Sequence, residues 1–220
     1  MERAEEPWNE MATLNSAKEH VGTQLLFGLD ADNAQIKGSM TPNRENESVQ
    51  IKAEVSSGDN EEPNKILEGT INDKGGNIKV FDPSRKFLEE INCDEKSCKR
   101  TGPSGELLGA REITARYKEK LTDKSLNGQI QFDDEMFFEG KIGKVLNDSN
   151  QVVGSASLQN RGELSNLGKM FLGMDRTFHQ TGTYENKESQ ESRSLNITYT
   201  QNWRNEVTFE GDFERKNLGR

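Results

Sequence analysis

Apolar and polar residues alternate with a period of two over much of this chain. The clearest example is residues 48–55, whose apolar face consists of Val49, Ile51, Ala53 and Val55. Because successive side chains of a strand point to opposite faces, this alternation predicts strands with one apolar and one polar face. The same pattern recurs at 113–121, 126–132, 195–203 and 207–213.

Short clusters of Gly, Asn, Asp, Ser and Pro separate these segments, and their lengths suit hairpin turns. They occur at 57–60, 72–76, 82–83, 101–105 and 147–150. Helical periodicity is scarce. The pattern therefore predicts an all-β protein, an antiparallel amphipathic β-sheet meander with little helix, arranged as an open sheet, a sandwich or a partial barrel.

Two parts of the chain fit this scheme less well. Residues 1–20 are acidic and poorly patterned, so we expect the β-rich region to cover 21–220. Within it, the stretch around 83–110 is the least strand-like and predicts a loop-rich segment, either a long loop or a crossover. Residues 161–176 are interpreted as a short helix.

A looser repeat runs through the strands, in which a glycine lies between two apolar residues on the same face. Its glycines are Gly38, Gly69, Gly128, Gly140 and Gly211. A glycine inside a strand leaves a shallow groove where a bend or a foreign apolar group can approach.

Composition and charge narrow the classes of function. Leu, Ile, Val and Phe together make up about 20% of the chain, which predicts a thin core. The net charge of −9 and the absence of a basic stripe argue against nucleic acid as a partner. No run of about 18 apolar residues predicts a transmembrane segment. The N-terminal residues lack the features of a signal peptide, so we expect a cytosolic protein or an internal piece of a secreted one.

Residues able to carry chemistry are few. His20 and His179 are interpreted as surface histidines, and no catalytic motif or metal-ligand spacing occurs, so we expect no enzymatic activity, no metal site and no cofactor. Cys93 and Cys98 are candidates for a small disulfide in an oxidising compartment and for two free thiols in a reducing one. Three triplets are candidate N-glycosylation sites, at Asn46, Asn147 and Asn196.

Four strands carry a resemblance to a known family, namely 125–132, 138–142, 194–200 and 207–213. Their texture resembles the β-rich region of the large lipid transfer proteins, which include apolipophorins, vitellogenins and apolipoprotein B. Within that family the chain is most similar to the apolipophorin-like group 14 allergens of dust mites. The resemblance covers most of residues 20–215, and it transfers no catalytic residue.

The resemblance implies non-enzymatic lipid binding and transport, as a segment of a secreted lipoprotein whose larger precursor continues beyond this chain. Phospholipid and neutral lipid are the implied partners, and allergenicity is implied as well. In this interpretation the apolar strand faces lie against lipid. The candidate lipid-facing residues are Leu126, Ile130, Phe132, Phe138, Ile142, Val207, Phe209 and Phe213.

Two alternatives stay open. A sheet must cover its apolar face with a second sheet, with helices or with an apolar ligand. A self-contained β-barrel or sandwich that binds a small apolar ligand meets this requirement without a lipid particle. The second alternative is a fragment of an extracellular structural glycoprotein.

Overall fold

The computed structural model describes residues 10–58, 62–72, 74–114, 118–126, 129–147, 149–164, 176–202 and 204–219. For the described residues within 11–12, 114–142 and 163–164 it describes the backbone alone. One helix, α1, comprises Glu10–Gly28. The strands are β1 Ala34–Asn43, β2 Ser48–Ser57, β3 Lys65–Asn72, β4 Gly75–Phe81, β5 Phe87–Asp94, β6 Ser97–Thr101, β7 Leu107–Thr114, β8 Lys118–Leu126, β9 Gln129–Leu146, β10 Val152–Leu164, β11 Arg176–Asn186, β12 Glu191–Gln201 and β13 Val207–Asn217.

The strands form a closed antiparallel barrel. Neighbours along the chain pair from β1 to β7 and from β9 to β13, while β1 pairs with β13 and β7 pairs with β9, so that twelve strands complete the ring. The long strand β9 pairs with β8 through its first part and with β7 through its last part. The predicted all-β antiparallel meander is confirmed, and its form is a barrel.

Helix α1 runs through the barrel. It contacts strands β1–β6 on one side and β10–β12 on the other. At its start, Glu10 bonds to Arg44 in the β1–β2 turn and to Asn205 in the β12–β13 turn. At its end, the carbonyls of Leu26 and Phe27 accept hydrogen bonds from Arg193 on β12. We call the two ends of the barrel the N-mouth and the C-mouth, after the end of α1 that each one holds.

Enclosure explains why the helix leaves no amphipathic pattern in the sequence. A helix at a protein surface keeps one polar face in water, and that face produces the 3.6-residue period. Most of α1 from Thr13 onward is buried, and polar residues such as Lys18, His20 and Gln24 are buried beside Leu14 and Leu25. Residues 10–20, which we expected to belong to a poorly patterned segment, are therefore the first half of the central helix.

The stretch 83–110 also differs from the expected long loop or crossover. It contains β5, β6 and the start of β7, joined by tight turns such as the one where Asp94 Oδ1 accepts hydrogen bonds from the amides of Lys96 and Ser97. Its alternation is weak because an ion pair replaces two apolar side chains on the inner face. Arg100 Nη2 donates to Glu89 Oε2 at 2.6 Å, and Glu89 is buried.

The glycine positions on the apolar face are crowded by backbone and side-chain atoms of neighbouring strands. A Cβ added at Gly38 would overlap the ring of Phe209, and one added at Gly211 would overlap Ile197. Gly69 is crowded in the same way by its neighbour on β4. Gly128 lies outside the described residues, and of Gly140 only the backbone is described. No foreign apolar group is needed at the three glycines whose surroundings are described.

The remaining sequence interpretation concerns 161–176. Residues 161–164 are the last residues of β10, and residue 176 is the first of β11. The expected short helix falls otherwise on 165–175, which lie outside the described residues.

A substitution in α1 tests whether the helix is part of the core. We expect Leu25→Ala to lower the free energy of unfolding by about 2–5 kcal/mol, because Leu25 is almost completely buried and its truncation leaves a cavity. Leu218→Ala, at a half-exposed leucine, is the control and should change the free energy of unfolding by less than about 0.5 kcal/mol. Urea unfolding followed by circular dichroism measures the free energy of unfolding of both variants. Equal losses in the two variants would show that α1 is not packed in the barrel.

Candidate functional site

A cluster of polar side chains surrounds Lys18 inside the barrel. Lys18 Nζ donates to Gln201 Oε1 at 2.8 Å and to Asn15 Oδ1 at 3.3 Å. The same nitrogen lies 3.7 Å from the centroid of the Phe178 ring, which is a cation–π distance. The ammonium is thus enclosed by β11, β12 and its own helix.

The backbone carbonyl of Lys18 is a second anchor. It accepts hydrogen bonds from Gln180 Nε2 at 3.0 Å and from the Tyr199 hydroxyl at 3.3 Å. The Tyr199 hydroxyl has a single proton, which it shares between this carbonyl and Gln180 Oε1 at 2.8 Å. A Cβ at Gly22 would overlap the Gln180 amide, so this close approach of β11 to the helix requires glycine. These bonds fix the position of α1 along the barrel.

Burial changes the acidity of this cluster. Desolvation, together with the positive charge of Arg176, lowers the pKa of Lys18 to about 7. The electron-rich face of Phe178 opposes this shift, because it favours the charged form. Burial also raises the pKa of the Tyr199 hydroxyl well above its usual value. The Lys18 amine is enclosed and hydrogen-bonded, so its evident role is to hold the helix.

A second cluster lies at the C-mouth around the ring of Tyr184. Phe27, near the end of α1, packs edge-on against this ring with centroids 6.0 Å apart. The guanidiniums of Arg193 and Arg111 lie 5.0 and 5.7 Å from its centroid. Arg193 Nε donates to Glu191 Oε1 at 2.6 Å, so the charge of Arg193 is shared between a carboxylate and the carbonyl end of α1, where a cation is favourable.

Arg111 reaches past β9 and β10, from β7 to β11. Its Nη2 donates to the Tyr184 hydroxyl at 3.1 Å, and its Nη1 donates to the Ala110 carbonyl at 2.7 Å. Its Nε is buried and has no hydrogen-bond partner. No carboxylate in the described part of the chain pairs with this guanidinium, which sets it apart from Arg193.

A small cavity of about 20 Å³ adjoins Arg111, which is room for one water-sized group. Its apolar lining includes Phe27, Ile91, Leu108 and Cys98. The rim of the C-mouth also carries exposed hydrophobic side chains, of which Leu108 lines the cavity. Wherever side chains are described, the large exposed hydrophobics lie at this mouth, namely Leu107, Leu108, Val152 and Leu218, with 47–64% of their surface exposed.

The candidate lipid-facing residues fall into two groups. Val207, Phe209 and Phe213 on β13 are buried on the inner face of the barrel, where Phe209 packs against Tyr199 with ring centroids 5.4 Å apart. Closure of the sheet turns this face toward the lumen, so helix and barrel side chains cover it. The others belong to the backbone-only region, and their side chains lie outside the described part of the structure: Leu126, Ile130, Phe132, Phe138 and Ile142.

The candidate modification sites are spread over the barrel. Asn46 is exposed in the β1–β2 turn and Asn196 is exposed on the outer face of β12. The side chain of Asn147 is occupied by its own turn, because its Oδ1 accepts from the amides of Ser149 and Gln151.

The cysteines and histidines lie on the barrel and its helix. Cys93 and Cys98 face each other across β5 and β6 and form a disulfide, with their Cα atoms 4.1 Å apart. His179 is half-buried beside Thr198. His20, which we expected at the surface, is buried because α1 is enclosed.

Sequence reasoning did not single out Arg111, Tyr184, Arg193 or Phe27. A signal existed at 109–113, where an arginine takes the inward position between Gly109 and Ile113 on an alternating strand. The contact between Arg111 and Tyr184 spans 73 residues and joins two strands with β9 and β10 between them, so no local pattern predicts it.

No family model, curated protein or solved structure matches this chain.

In the described part of the chain, no helix combines the length and apolar character needed to cross a membrane. Among the same residues, no group of three or more His, Cys, Asp or Glu side chains is placed to hold a metal ion. Fold and site define the class: a closed antiparallel β-barrel with its own helix inside and an apolar, arginine-containing mouth.

The lowered pKa of Lys18 predicts a pH dependence of stability. Between pH about 7 and about 10.5 the unfolded chain keeps a proton on Lys18 that the folded protein releases. The free energy of unfolding should therefore rise with pH across this window, and the destabilisation should be fully present below pH about 7.

Lys18→Met removes the titrating group and should flatten this rise, whatever its effect on stability at a single pH. Urea unfolding of both proteins at pH 7 and at pH 9.5 measures the difference. Parallel pH profiles would show that Lys18 keeps its ordinary pKa in the barrel.

Proposed function

We propose that this protein is a non-enzymatic binding protein that takes a small apolar ligand at the C-mouth. The observation that carries the proposal is the position of exposed Leu107 and Leu108 at the start of β7, on the rim of the C-mouth, where Leu108 lines the cavity beside Phe27 and Ile91. Exposed hydrophobic groups collected at one place are typical of a binding surface, whereas isolated ones are not.

The position of α1 favours the C-mouth, rather than the lumen, as the binding site. The helix side chains Leu14, Val21 and Leu25 are buried in contact with the barrel core. A ligand in the lumen would have to displace them, while a ligand at the mouth only covers apolar surface that is already exposed. Covering such surface contributes roughly 25 cal/mol per Å².

Lipid transport within a secreted lipoprotein, which the family resemblance implies, is the second candidate. The disulfide between Cys93 and Cys98 supports it, because disulfides persist in oxidising compartments such as the extracellular space. In that case the C-mouth would meet a lipid surface, and the protein would sediment with phospholipid vesicles. A single-site ligand instead gives saturable binding in the absence of vesicles.

Titration with the neutral fluorescent probe N-phenyl-1-naphthylamine tests the proposed site. We expect saturable binding with one site per chain, and we expect Leu108→Asp to weaken it at least tenfold, because a charge at a half-exposed position beside the cavity opposes an apolar group there.

The matched control is Thr208→Asp, which introduces the same charge at an exposed position on β13 near the N-mouth. It should leave probe affinity unchanged. Absence of saturable binding, or equal affinities of the two variants, would rule out an apolar site at the C-mouth.

A further inference from the structure

Arg111 at the C-mouth has more hydrogen-bond donors than the structure occupies. A guanidinium carries five N–H donors. Two of the Arg111 donors are used: Nη1 donates to the Ala110 carbonyl and Nη2 donates to the Tyr184 hydroxyl, both of which are neutral acceptors. Its Nε is buried and donates to nothing. The charge of Arg111 therefore has no anionic partner within the described chain.

Two other guanidiniums on the inner face of the barrel are paired with carboxylates. Arg100 donates to Glu89 through Nε at 3.0 Å and through Nη2 at 2.6 Å, and Arg193 donates to Glu191 at 2.6 Å. Withdrawing a guanidinium from water is unfavourable unless an anion and hydrogen bonds compensate it. Arg111 is half-buried with two hydrogen bonds but with no anion in the described chain, so its charge is available to an anionic ligand.

The surroundings of Arg111 hold its plane in place. The ring of Tyr184 lies 5.7 Å from its central carbon, and the Tyr184 hydroxyl accepts from Nη2. The ring of Tyr184 is itself held in place, because it packs against the ring of Phe27 and against the guanidinium of Arg193. A planar fork held in this way is suited to an oxyanion, which can accept two parallel N–H bonds.

We infer that the ligand of the C-mouth is an amphipathic oxyanion, an apolar chain that ends in a carboxylate or phosphate group held by Arg111. The inference rests on the proposed function and adds the chemical class of the ligand. The cavity beside Arg111 has room for part of a head group and no more, so the apolar chain lies outward over exposed Leu108 and Leu107.

Three ligands with the same twelve-carbon chain separate the contributions: dodecanoate, dodecyl phosphate and dodecanol. Their affinities are measured by displacement of N-phenyl-1-naphthylamine from the wild-type protein. We expect at least one anion to bind roughly tenfold or more tightly than dodecanol, because charge-assisted bonds to an arginine are the stronger ones. The tighter of the two anions identifies the head group.

Arg111→Gln should reduce the affinity for the anion to that for dodecanol and leave dodecanol unchanged. Arg85→Gln is the matched control, since Arg85 is an exposed arginine in the β4–β5 turn of the same mouth, paired with Glu68. It removes the same charge and should leave the preference for the anion intact. Thermal melts followed by circular dichroism verify that both variants fold.

The outcomes are distinct. If none of the three ligands displaces the probe and the probe itself does not bind, the proposed function fails. If dodecanol binds the wild-type protein as tightly as both anions, the apolar site stands and the assignment of an oxyanion is overturned. The same holds if a folded Arg111→Gln protein keeps the preference for the anion. The wild-type comparison decides the matter even if the variant does not fold.

Discussion

A closed sheet of twelve strands encloses more space than its own inward side chains fill, and the structure depends on α1 to occupy that space. The interior of a barrel widens with the number of strands, and about eight is the size at which side chains alone complete the core. Here Leu14, Val21 and Leu25 meet the inner face of strands on both sides. The helix thus supplies apolar surface that the thin composition of the strands does not.

A helix inside the lumen also places polar groups in the interior of the barrel, and these groups require hydrogen-bond partners. The Lys18 ammonium, the Lys18 carbonyl and the carbonyls at the end of α1 each find a partner on β11 or β12. Their partners, among them Gln180 and Arg193, are themselves buried. Buried polar groups that are satisfied in this way fix a unique arrangement, since a shifted helix would leave them unpaired.

The same construction accounts for the C-mouth. Because α1 ends there, Phe27 and the carbonyls that bind Arg193 bring the Tyr184 cluster to the opening of the barrel. Arg111 enters this cluster from β7, with β9 and β10 between it and the strand of Tyr184, and without a carboxylate of its own. Exposed leucines beside an unpaired, half-buried guanidinium give one opening both an apolar and a cationic part, and our proposals of function rest on that combination.

The strands could be predicted from sequence because their signal is local. The alternation at 48–55 corresponds to β2, and Val207, Phe209 and Phe213 share one face as expected. The helix could not be predicted in the same way, since Lys18 and Gln24 interrupt any apolar stripe and are buried nonetheless. β5 could not be predicted for a similar reason. Glu89 interrupts its apolar face, and the Arg100 that pairs with Glu89 lies on the next strand.

The candidate site depends on closure, which no local pattern contains. The apolar face of β13 indicated that something must cover it, but whether lipid or the chain itself does so is a property of the whole barrel. Arg111 and Tyr184 stand on strands that are not neighbours, and they meet because the sheet curves over β9 and β10 between them.

Native-state hydrogen exchange of the amides of α1 tests the enclosure of the helix most directly. If α1 is packed inside the closed barrel, its amides from Leu14 to Phe27 exchange as slowly as those of β2 and β12, because they open only when the barrel unfolds. Exchange of the helix amides at a rate far above that of the strands would show that α1 leaves the barrel while the sheet stays folded, and would contradict the account.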